Sequence, residues 1–423
     1  MPPRDSEVVD LCNAITRRAR VAARSLVALD ALTRTTILHA MAFGLRRHVD
    51  ELLAANAEDV ADATAAGLSD AILDRLRLDA ARIEDMAAGL EHVAALPDTL
   101  DTVLDTRDGP DGLRITRVRV PLGVVFMIYE SRPNVTADAA GLCLKAGNAA
   151  ILRGGSESLR SNTVILRAML SAATGAGLPR DAVQLVPTSD RAAVDTLLRM
   201  DESIDLVIPR GGESLIRHVV EHARMPVLKH DKGVCHLYVD AAADLDMATR
   251  IALNAKCQRP GVCNAIETLL VHRDVADDAL PILGAALRSA GVELRGDDAT
   301  RAILPDALVA TEDDWTAEYL DLILAVRVVD DLDAAIAHVN TYGSHHSDAI
   351  VTADDGAAAR FLREVDSATV YHNASTRFTD GSQFGLGAEI GISTNRLHAR
   401  GPCGVDALTT YKWVIHGRGQ VRG

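Results

Sequence analysis

Aromatic residues and cysteines are scarce in this sequence, and each shortage narrows the class of protein. Phe, Trp and Tyr together make up 3% of the 423 residues, so the core must be built mainly from Ala, Val, Leu and Ile. The six cysteines are too few for a disulfide scaffold in a chain of this length. They include no CxxC pair, which argues against a structural zinc site, and we expect no bound metal.

Positive charge and long apolar runs are limited as well. Lys and Arg number 44 against 59 Asp and Glu, so the formal net charge is −15. Nucleic acid and anionic membranes bind cationic surfaces, and we expect neither as a main partner. Charges recur every few residues at the N-terminus, unlike in a signal peptide. The most apolar short run, Val124 to Tyr129, is far below the ~20 residues of a membrane helix. We therefore expect a cytoplasmic protein with reduced thiols.

The pattern of apolar residues predicts an initial helical region. A prior of roughly 150 residues per domain gives about two to three domains for the whole chain. Roughly the first hundred residues predict helices, with Thr33 as the cap of the second helix, and apolar residues recur at three- to four-residue spacing. This apolar stripe consists of Val8, Cys12, Ile15, Ala19, Ala22 and Leu26.

After Asp105 the pattern changes to strands. Residues 113–120 alternate apolar residues with arginines, as in a half-exposed strand, and residues 124–128 are typical of a strand buried on both faces. Strands and helices then alternate, first up to Asp240 and again beyond it, and the tail segment TTYKWVIH predicts one more strand. Such βαβ alternation predicts parallel sheets with helices on both faces.

Two glycine turns that follow strands are candidates for binding an anion. Arg153-Gly154-Gly155-Ser156 and Arg210-Gly211-Gly212-Glu213 each open a helix, whose first N–H groups and dipole favour negative charge. Neither matches GxGxxG, the usual dinucleotide fingerprint. A single turn of this kind is more often a plain connection between a strand and a helix, but two of them in one doubly wound region favour a cofactor site.

Cys263 is the cysteine whose surroundings favour chemistry. It follows Gln258-Arg259-Pro260-Gly261-Val262, a loop that contains a cation, and it precedes a strand. Positive charge near a loop thiol favours the thiolate and therefore a nucleophile. From the residues alone a structural loop cysteine stays an alternative, and Cys257 is the nearest rival. Cys12 and Cys143 fall in helical apolar patterns and are predicted to be buried.

Four longer segments of the chain resemble a known family. In order and spacing they are similar to the γ-glutamyl phosphate reductase family of the aldehyde dehydrogenase superfamily. One departure is Cys257, which stands where the family pattern has Thr. The four segments are VPLGVVFMIYESRPNVTADAAGLCLKAGNAAILRGGSES, NAKCQRPGVCNAIETLLVH, ATVYHNASTRF and GLGAEIGISTNRLHARGPCGVDALTTYKW.

The resemblance implies an α/β, aldehyde dehydrogenase-like fold with two doubly wound domains and a small β oligomerisation arm. We expect the cofactor-binding domain at residues 1–107 and 122–237, and the catalytic domain at residues 238–372. The Arg-rich strand and the tail are expected to form the arm, at residues 108–121 and 395–423. The arm implies a homodimer or a homotetramer, because the free edge of a short ribbon invites pairing with a second chain.

The resemblance also implies a cysteine mechanism without a water-activating base. Cys263 matches the superfamily nucleophile, and Asn134 matches, to within one or two positions, the asparagine whose amide completes an oxyanion hole. Hydrolytic relatives carry a glutamate base in a Leu-Glu-Leu-Gly-Gly segment, whereas this chain has Leu228-Lys229-His230-Asp231-Lys232-Gly233. Without that base a thioester is left for exchange with phosphate. His230 and Lys232 are candidates for helping with the phosphate, against the alternative of a solvated loop.

The cofactor implied by the resemblance is NADPH. Arg153 matches the basic residue that holds the adenosine ribose, and Ser156 stands where NAD-preferring relatives carry an acid, so NADP is favoured. The neighbouring Glu157 leaves NAD open. The turn Gly211-Gly212 is the second candidate contact, and Glu318 matches the glutamate that binds the nicotinamide ribose.

The reaction implied by the resemblance is the NADPH-dependent reduction of L-glutamate 5-phosphate to L-glutamate 5-semialdehyde, the second step of proline biosynthesis from glutamate. Arg132 and Arg259 are candidates for the anionic groups of the substrate, because a guanidinium forks onto phosphate and carboxylate. Asn373, Ser375 and Glu389 are candidates for its amino-acid end. Glutamate 5-kinase is the expected supplier of the substrate. Two alternatives stay open: an NAD-linked hydrolytic aldehyde dehydrogenase, and an inactive relative that serves as a binding or scaffold protein.

Overall fold

The computed structural model describes residues 5–229 and 232–422, which divide into two compact units. The division predicted from the sequence, with a separate oligomerisation part, stays a prediction. The first unit consists of residues 5–229, 385–391 and 403–422, and the second of residues 232–384 and 392–402.

Helices fill the start of the chain, and the apolar stripe of the first helix is buried, as predicted: all six residues of the stripe are at most 2% exposed. The predicted cap of the second helix is wrong. Oδ1 of Asp30 accepts the backbone N–H of Thr33 at 2.8 Å, and the helix begins at Ala31 because a carboxylate satisfies an N–H group that the helix leaves unpaired. None of the helices in the described ranges is long and apolar enough to cross a membrane. In chain order the helices are α1 (Asp5–Leu26), α2 (Ala31–Arg47), α3 (Val49–Ala65), α4 (Asp70–Leu76), α5 (Ala80–Ala95), α6 (Val135–Lys145), α7 (Leu159–Ala173), α8 (Arg191–Leu197), α9 (Glu213–His222), α10 (Leu245–Cys257), α11 (Arg273–Ser289), α12 (Asp298–Ile303), α13 (Leu332–Tyr342) and α14 (Asp355–Glu364).

The strands form two parallel sheets, one three-stranded antiparallel sheet and a short two-stranded pair between β14 and β15. In chain order they are β1 (Val103–Asp108), β2 (Arg114–Pro121), β3 (Val124–Tyr129), β4 (Ala149–Arg153), β5 (Val183–Leu185), β6 (Leu206–Arg210), β7 (Cys235–Val239), β8 (Ile266–His272), β9 (Glu293–Gly296), β10 (Leu308–Val309), β11 (Ile323–Val329), β12 (Ser347–Val351), β13 (Thr369–His372), β14 (Gly391–Ser393), β15 (Gly401–Cys403) and β16 (Thr409–His416).

The parallel sheet of the first unit has the strand order β5-β4-β3-β6. β3 contains the apolar run that was predicted to be buried on both faces, and all six of its residues are buried. β4 ends at Arg153 and β6 ends at Arg210, each directly before a glycine turn. Because the strands are parallel, both turns lie along the carboxyl edge of this sheet.

The parallel sheet of the second unit has the order β10-β9-β11-β8-β7-β12-β13. Successive residues of its strands face two different cores: Leu237 and Val239 pack in the cluster that contains Leu280 of α11. Tyr238 packs in the cluster that contains Phe361 of α14. Helices therefore cover both faces of this sheet, which confirms the doubly wound arrangement predicted from the alternation.

The tail pairs with the Arg-rich strand, as the sequence predicts. β16 runs antiparallel to β2 from Thr409 opposite Pro121 to His416 opposite Arg114. A third strand, β1, lies on the other side of β2 and was not predicted, because its charged sequence is almost entirely exposed. The sheet is joined to the rest of the first unit by the buried side chain of Asn148, which accepts the N–H of Gly123 and donates to the carbonyl oxygen of Leu408, both at 2.8 Å.

Candidate active site

Arg153, which the sequence analysis predicts to contact the cofactor, lies at the carboxyl edge of the first sheet. Its Nη1 donates to the carbonyl oxygen of Gly154 and its Nη2 to that of Ser189, both at 2.8 Å. The guanidinium is therefore fixed between the ends of two neighbouring strands, β4 and β5. Burial lowers its pKa, an effect that Glu157 opposes and that the positive charge of Arg191 reinforces. Arg191, the first residue of α8, is a cation near this edge that the sequence analysis missed.

The turn after Arg153 contains an exposed serine, Ser156, and a carboxylate, Glu157, that accepts hydrogen bonds from the chain. Ser156 is exposed and opens a short 3₁₀ turn, Ser156–Ser158. Oε1 of Glu157 accepts hydrogen bonds from the backbone N–H and the hydroxyl of Ser131, at 2.6 and 2.7 Å. The one acidic residue of the turn is thus bonded to the segment that follows β3.

The second glycine turn, after β6, is closely approached by a carboxylate of the chain itself. Oε2 of Glu130 accepts the N–H of Gly212 at 2.9 Å, at the N-terminus of α9. A side chain at Gly211 would place its Cβ 2.3 Å from the same oxygen, so this contact requires glycine. The carboxylate of Glu130 thus occupies the N–H of Gly212, and the assignment of this turn to the cofactor stays a prediction.

Asn134 lies just before α6, on the same side of the first sheet. Its exposed side chain donates through Nδ2 to Oδ2 of Asp138, one helical turn further on, at 2.9 Å. Asp138 and Glu389 both line a cavity of about 210 Å³ between α5, α6 and the segment around Ala388. Burial raises the pKa of Asp138 to about 6, although the Asn134 amide and Arg210 act against that rise. The sequence analysis missed Asp138, although its i,i+4 spacing from Asn134 was a usable signal.

In the second unit, Cys263 occupies the turn between α10 and β8 and is half-buried. Among the other described cysteines only Cys257 is similarly accessible. Burial raises the pKa of Cys257, and it raises that of Cys12 to about 11 and that of Cys143 to about 12. The predicted burial of Cys12 and Cys143 is confirmed.

The backbone at Cys263 is held by the segment that leads into β7. Sγ of the buried Cys235 donates to the carbonyl oxygen of Cys263 at 3.2 Å. A Cβ at Gly233 would lie 2.0 Å from that oxygen, so only glycine permits this approach. Burial raises the pKa of Cys235 well above its ordinary value, which suits a structural thiol. His230 and Asp231, in the preceding part of this segment, lie outside the described residues.

Glu318 reaches the same segment from the chain before β11. Its Oε1 accepts the N–H of Gly233 at 2.8 Å. Two residues later, the N–H of Leu320 donates at 3.3 Å to Glu267, whose other oxygen accepts the ammonium of Lys256 at 2.6 Å. Both side chains of that ion pair are fully buried, and burial raises the pKa of Glu267 against the opposing charge of Lys256. Cys263 and Glu318 are thereby brought to one edge of the second sheet.

The remaining predicted substrate residues have local partners or are solvent-facing. Arg132 is half-buried in the turn before α6, and Arg259 is exposed in the loop before Cys263. The amide of Asn373 bonds the backbone of Thr352 through both of its polar atoms, at 3.0 Å each. Ser375 is buried and its hydroxyl accepts the N–H of Arg377 at 3.2 Å. Their assignment to the substrate stays a prediction.

A chain with two doubly wound parallel sheets, an arginine and glycine turn at the edge of one and a thiol before a strand of the other, is typical of the aldehyde dehydrogenases. The model of the aldehyde dehydrogenase family matches residues 9–302. The chain belongs to this family.

Relatives named gamma-glutamyl phosphate reductase are similar to the chain over nearly its whole length. The protein of that name from Moorella thermoacetica is 59% identical over 406 residues, which are 96% of this chain and 97% of the relative. The one from Geobacter metallireducens is 54% identical over 415 residues, 98% of this chain and 99% of the relative. The crystal structure of the Thermotoga maritima protein matches with a TM-score of 0.96 at 46% identity, covering 97% of this chain and 100% of that one. The resemblance inferred from the sequence is confirmed, and so is the fold class.

Proposed function

We propose that the chain is a γ-glutamyl phosphate reductase, which reduces L-glutamate 5-phosphate to L-glutamate 5-semialdehyde with release of phosphate. The observation that carries this proposal is the 59% and 54% identity to relatives of that name over almost the full length. The activity belongs to the second step of proline biosynthesis from glutamate. Its substrate comes from a glutamate 5-kinase, which is the proposed functional partner.

Cys263 is the proposed nucleophile. Its sulfur attacks the acyl carbon, the carbon–oxygen bond to phosphate breaks, and the acyl group remains on the enzyme as a thioester. NADPH, when bound, supplies the hydride for the next step. The thiohemiacetal on Cys263 then collapses to the aldehyde and returns the thiolate. The half-buried position of this thiol, in contrast to the buried Cys12, Cys143 and Cys235, supports the assignment.

Asn134 is the proposed side-chain donor of the oxyanion hole. An amide N–H that meets the carbonyl oxygen where charge develops stabilises the tetrahedral intermediate. One N–H of Asn134 is bonded to Asp138. The bond fixes the plane of the amide, and the amide nitrogen has a second N–H to offer.

The carboxyl edge of the first sheet fits a nicotinamide cofactor, and we propose NADPH in particular. Nε of Arg153 is buried without a hydrogen-bond partner within the described residues. Arg153 together with Arg191 supplies positive charge for a 2′-phosphate, and Ser156 adds no negative charge beside it. The turn Gly211-Gly212 is proposed as the second contact, at which the pyrophosphate would replace the carboxylate of Glu130 on the N–H of Gly212. Glu318 is proposed for the nicotinamide ribose.

A phosphate-releasing reaction is favoured over hydrolysis by the segment before β7. Residues 228–233 contain no glutamate that could activate water, so the thioester persists until hydride or phosphate reaches it. Arg132 and Arg259 are proposed for the anionic groups of the substrate, and Asn373, Ser375 and Glu389 for its amino-acid end.

The proposal includes a cytoplasmic homodimer or homotetramer. The three-stranded sheet leaves β16 at an edge, with half-exposed Tyr411 and Trp413 on it. An edge strand that carries large apolar side chains pairs readily with another chain. Free thiols at all six cysteines suit a reducing compartment.

The reverse reaction tests the function. Purified protein is incubated with L-glutamate 5-semialdehyde and NADP, with and without inorganic phosphate, and NADPH is followed by its absorbance. We expect NADPH formation that depends on phosphate and is absent in the Cys263→Ala variant. Phosphate-independent oxidation with a preference for NAD would instead identify a hydrolytic aldehyde dehydrogenase. No turnover under any of these conditions would favour an inactive relative.

A further inference from the structure

The short 3₁₀ turn Thr376–Phe378 is fastened to the residue that follows the candidate nucleophile. Oγ1 of Thr376 donates to the carbonyl oxygen of Asn264 at 2.6 Å. Nδ2 of Asn264 donates to the carbonyl oxygen of Thr379 at 2.9 Å. All three residues are buried, so water does not compete for these bonds. They fix the turn, and with it Arg377, next to the loop of Cys263.

The side chain of Arg377 is oriented by the same loop. Its Nε donates to Oε1 of Gln258 at 3.0 Å, directly after the end of α10. This bond uses one of the five N–H groups of a guanidinium, and the two Nη atoms carry the other four. A half-buried arginine held by its Nε presents a preformed fork for a planar or tetrahedral oxyanion.

The charges around Arg377 point to an anion near the reactive sulfur. Burial lowers the pKa of Arg377 and the positive charge of Arg259 lowers it further, whereas the thiolate of Cys263 and Asp380 raise it. Two guanidinium groups therefore act on each other, and one of them acts on the sulfur of Cys263. A dianion that binds between two cations relieves their repulsion.

The structure of the proposed substrate indicates which of its anionic groups binds the guanidinium groups of Arg259 and Arg377. In an acyl phosphate the phosphoryl group is joined through a single oxygen to the carbon that Cys263 attacks. The α-carboxylate lies at the far end of the glutamate side chain. A cation within electrostatic reach of the sulfur is therefore placed for the phosphoryl group and not for the α-carboxylate.

We propose that Arg377, together with Arg259, forms the subsite that binds the phosphoryl group of the substrate and stabilises the departing phosphate. This inference rests on the proposed function and adds to it a substrate-binding residue that the sequence analysis did not single out. As the sulfur of Cys263 forms its bond to the acyl carbon, the carbon–oxygen bond breaks and its electron pair leaves with phosphate. The guanidinium pair meets the negative charge that accumulates on that oxygen.

The test compares Arg377→Met with Arg360→Met in the reverse reaction. Arg360 is a matched control, because it is also a half-buried arginine of the second unit, but it bonds Asp333 of α13 and Glu364 of α14. We expect Arg377→Met to raise the KM for inorganic phosphate roughly ten- to a hundredfold, the value of one charge-assisted hydrogen bond. The KM for NADP and for the semialdehyde should stay within about twofold, and Arg360→Met should resemble the wild type. Arg377→Lys keeps the charge without the fork and should give an intermediate KM for phosphate.

Two results would overturn the inference. An unchanged KM for phosphate in a folded Arg377→Met variant would show that the residue does not bind phosphate. A raised KM for the semialdehyde with an unchanged KM for phosphate would assign Arg377 to the α-carboxylate. Failure of the proposed function itself is distinguishable, because the wild type would then show no phosphate-dependent reaction.

A second measurement does not depend on turnover. Iodoacetamide labels the accessible thiol, and peptide mapping reports the label on Cys263 separately from that on Cys257. Inorganic phosphate should slow labelling of Cys263 in the wild type and in Arg360→Met, and should lose that effect in Arg377→Met. Equal protection in all three proteins would contradict the subsite.

Discussion

The two parallel sheets present their candidate functional residues at different ends of their strands. In the first unit, Arg153 and the turn Gly211-Gly212 stand where β4 and β6 end, and Asn134 follows β3. In the second unit, Cys263 precedes β8 and Glu318 precedes β11. The first group lies at a carboxyl edge and the second at an amino edge.

This difference has an electrostatic consequence. The element that follows a carboxyl edge is a helix N-terminus, whose N–H groups and dipole attract anions without any charged side chain. The element that precedes an amino edge is a helix C-terminus, and α10 ends at Cys257, shortly before Cys263. Its dipole disfavours negative charge, so a site for phosphate at this edge requires cationic side chains. Arg259 and Arg377 supply them.

The largest expected effect is at the amino edge of the second sheet. Cys263→Ala should abolish reduction, because the thiol carries the covalent chemistry, while binding of NADPH stays largely intact. Steady-state assays and fluorescence titration with NADPH check the two expectations separately. The matched variant Cys257→Ser should keep most of the activity, and so should Cys235→Ser, because a hydroxyl can still donate to the carbonyl oxygen of Cys263. Substantial turnover by Cys263→Ala would refute the mechanism.

The next effect concerns the three-stranded antiparallel sheet of the first unit and its proposed role in assembly. Deleting residues 408–423 removes β16 and the carbonyl oxygen that the buried Asn148 side chain requires, and it exposes an edge of β2. We expect an aggregated or monomeric protein without activity, measured by light scattering and by enzymatic assay. A full-length protein that is monomeric at micromolar concentration and nevertheless turns over normally would contradict the proposed role of this sheet.

A smaller effect is expected at the carboxyl edge. Arg153→Ala should raise the KM for NADPH about ten- to a hundredfold more than that for NADH, the value of one charge-assisted contact to the 2′-phosphate of about 1.5–3 kcal/mol. Arg191→Ala tests the second cation in the same way. Equal changes of KM for both cofactors would show that Arg153 holds the carbonyl oxygens of Gly154 and Ser189 and does not select the phosphate.

The carboxyl edge could be predicted from the sequence because its parts are consecutive. An apolar run predicts a buried strand, the arginine and glycines after it predict a turn, and the helical pattern that follows predicts a helix N-terminus. Arg153 and Gly212 both lie in such a sequence of elements. The loop of Cys263 is likewise a run of consecutive residues. Its Pro260 and Gly261 predict a loop, which distinguishes Cys263 from the cysteines in apolar helical patterns.

The amino edge was only partly predictable because its residues come from distant segments. Arg377 reaches the loop of Cys263 through hydrogen bonds between Thr376, Thr379 and Asn264, more than a hundred positions away. The bond between Gly233 and Glu318 likewise joins segments whose contact no periodicity reveals. The pattern of neighbouring residues predicts single helices, strands and turns. A site built from distant segments depends on which of these elements lie together in the fold.

The smallest effect is expected from Asp138, the half-buried acid of the first unit. Burial raises the pKa of Asp138 to about 6, so the folded state binds its proton more tightly than the unfolded chain, where the pKa is near 3.8. The stabilisation is complete below pH 3.8 and is lost as the pH rises through 6. Relative to Asp138→Asn, the wild type should therefore lose on the order of 1–3 kcal/mol of unfolding free energy between pH 4 and 7. Urea denaturation at several pH values measures this, with the exposed Asp85→Asn as control. Parallel pH profiles for the wild type and Asp138→Asn would show that the carboxyl is well solvated, and the cavity it shares with Glu389 would then be an open, wet surface.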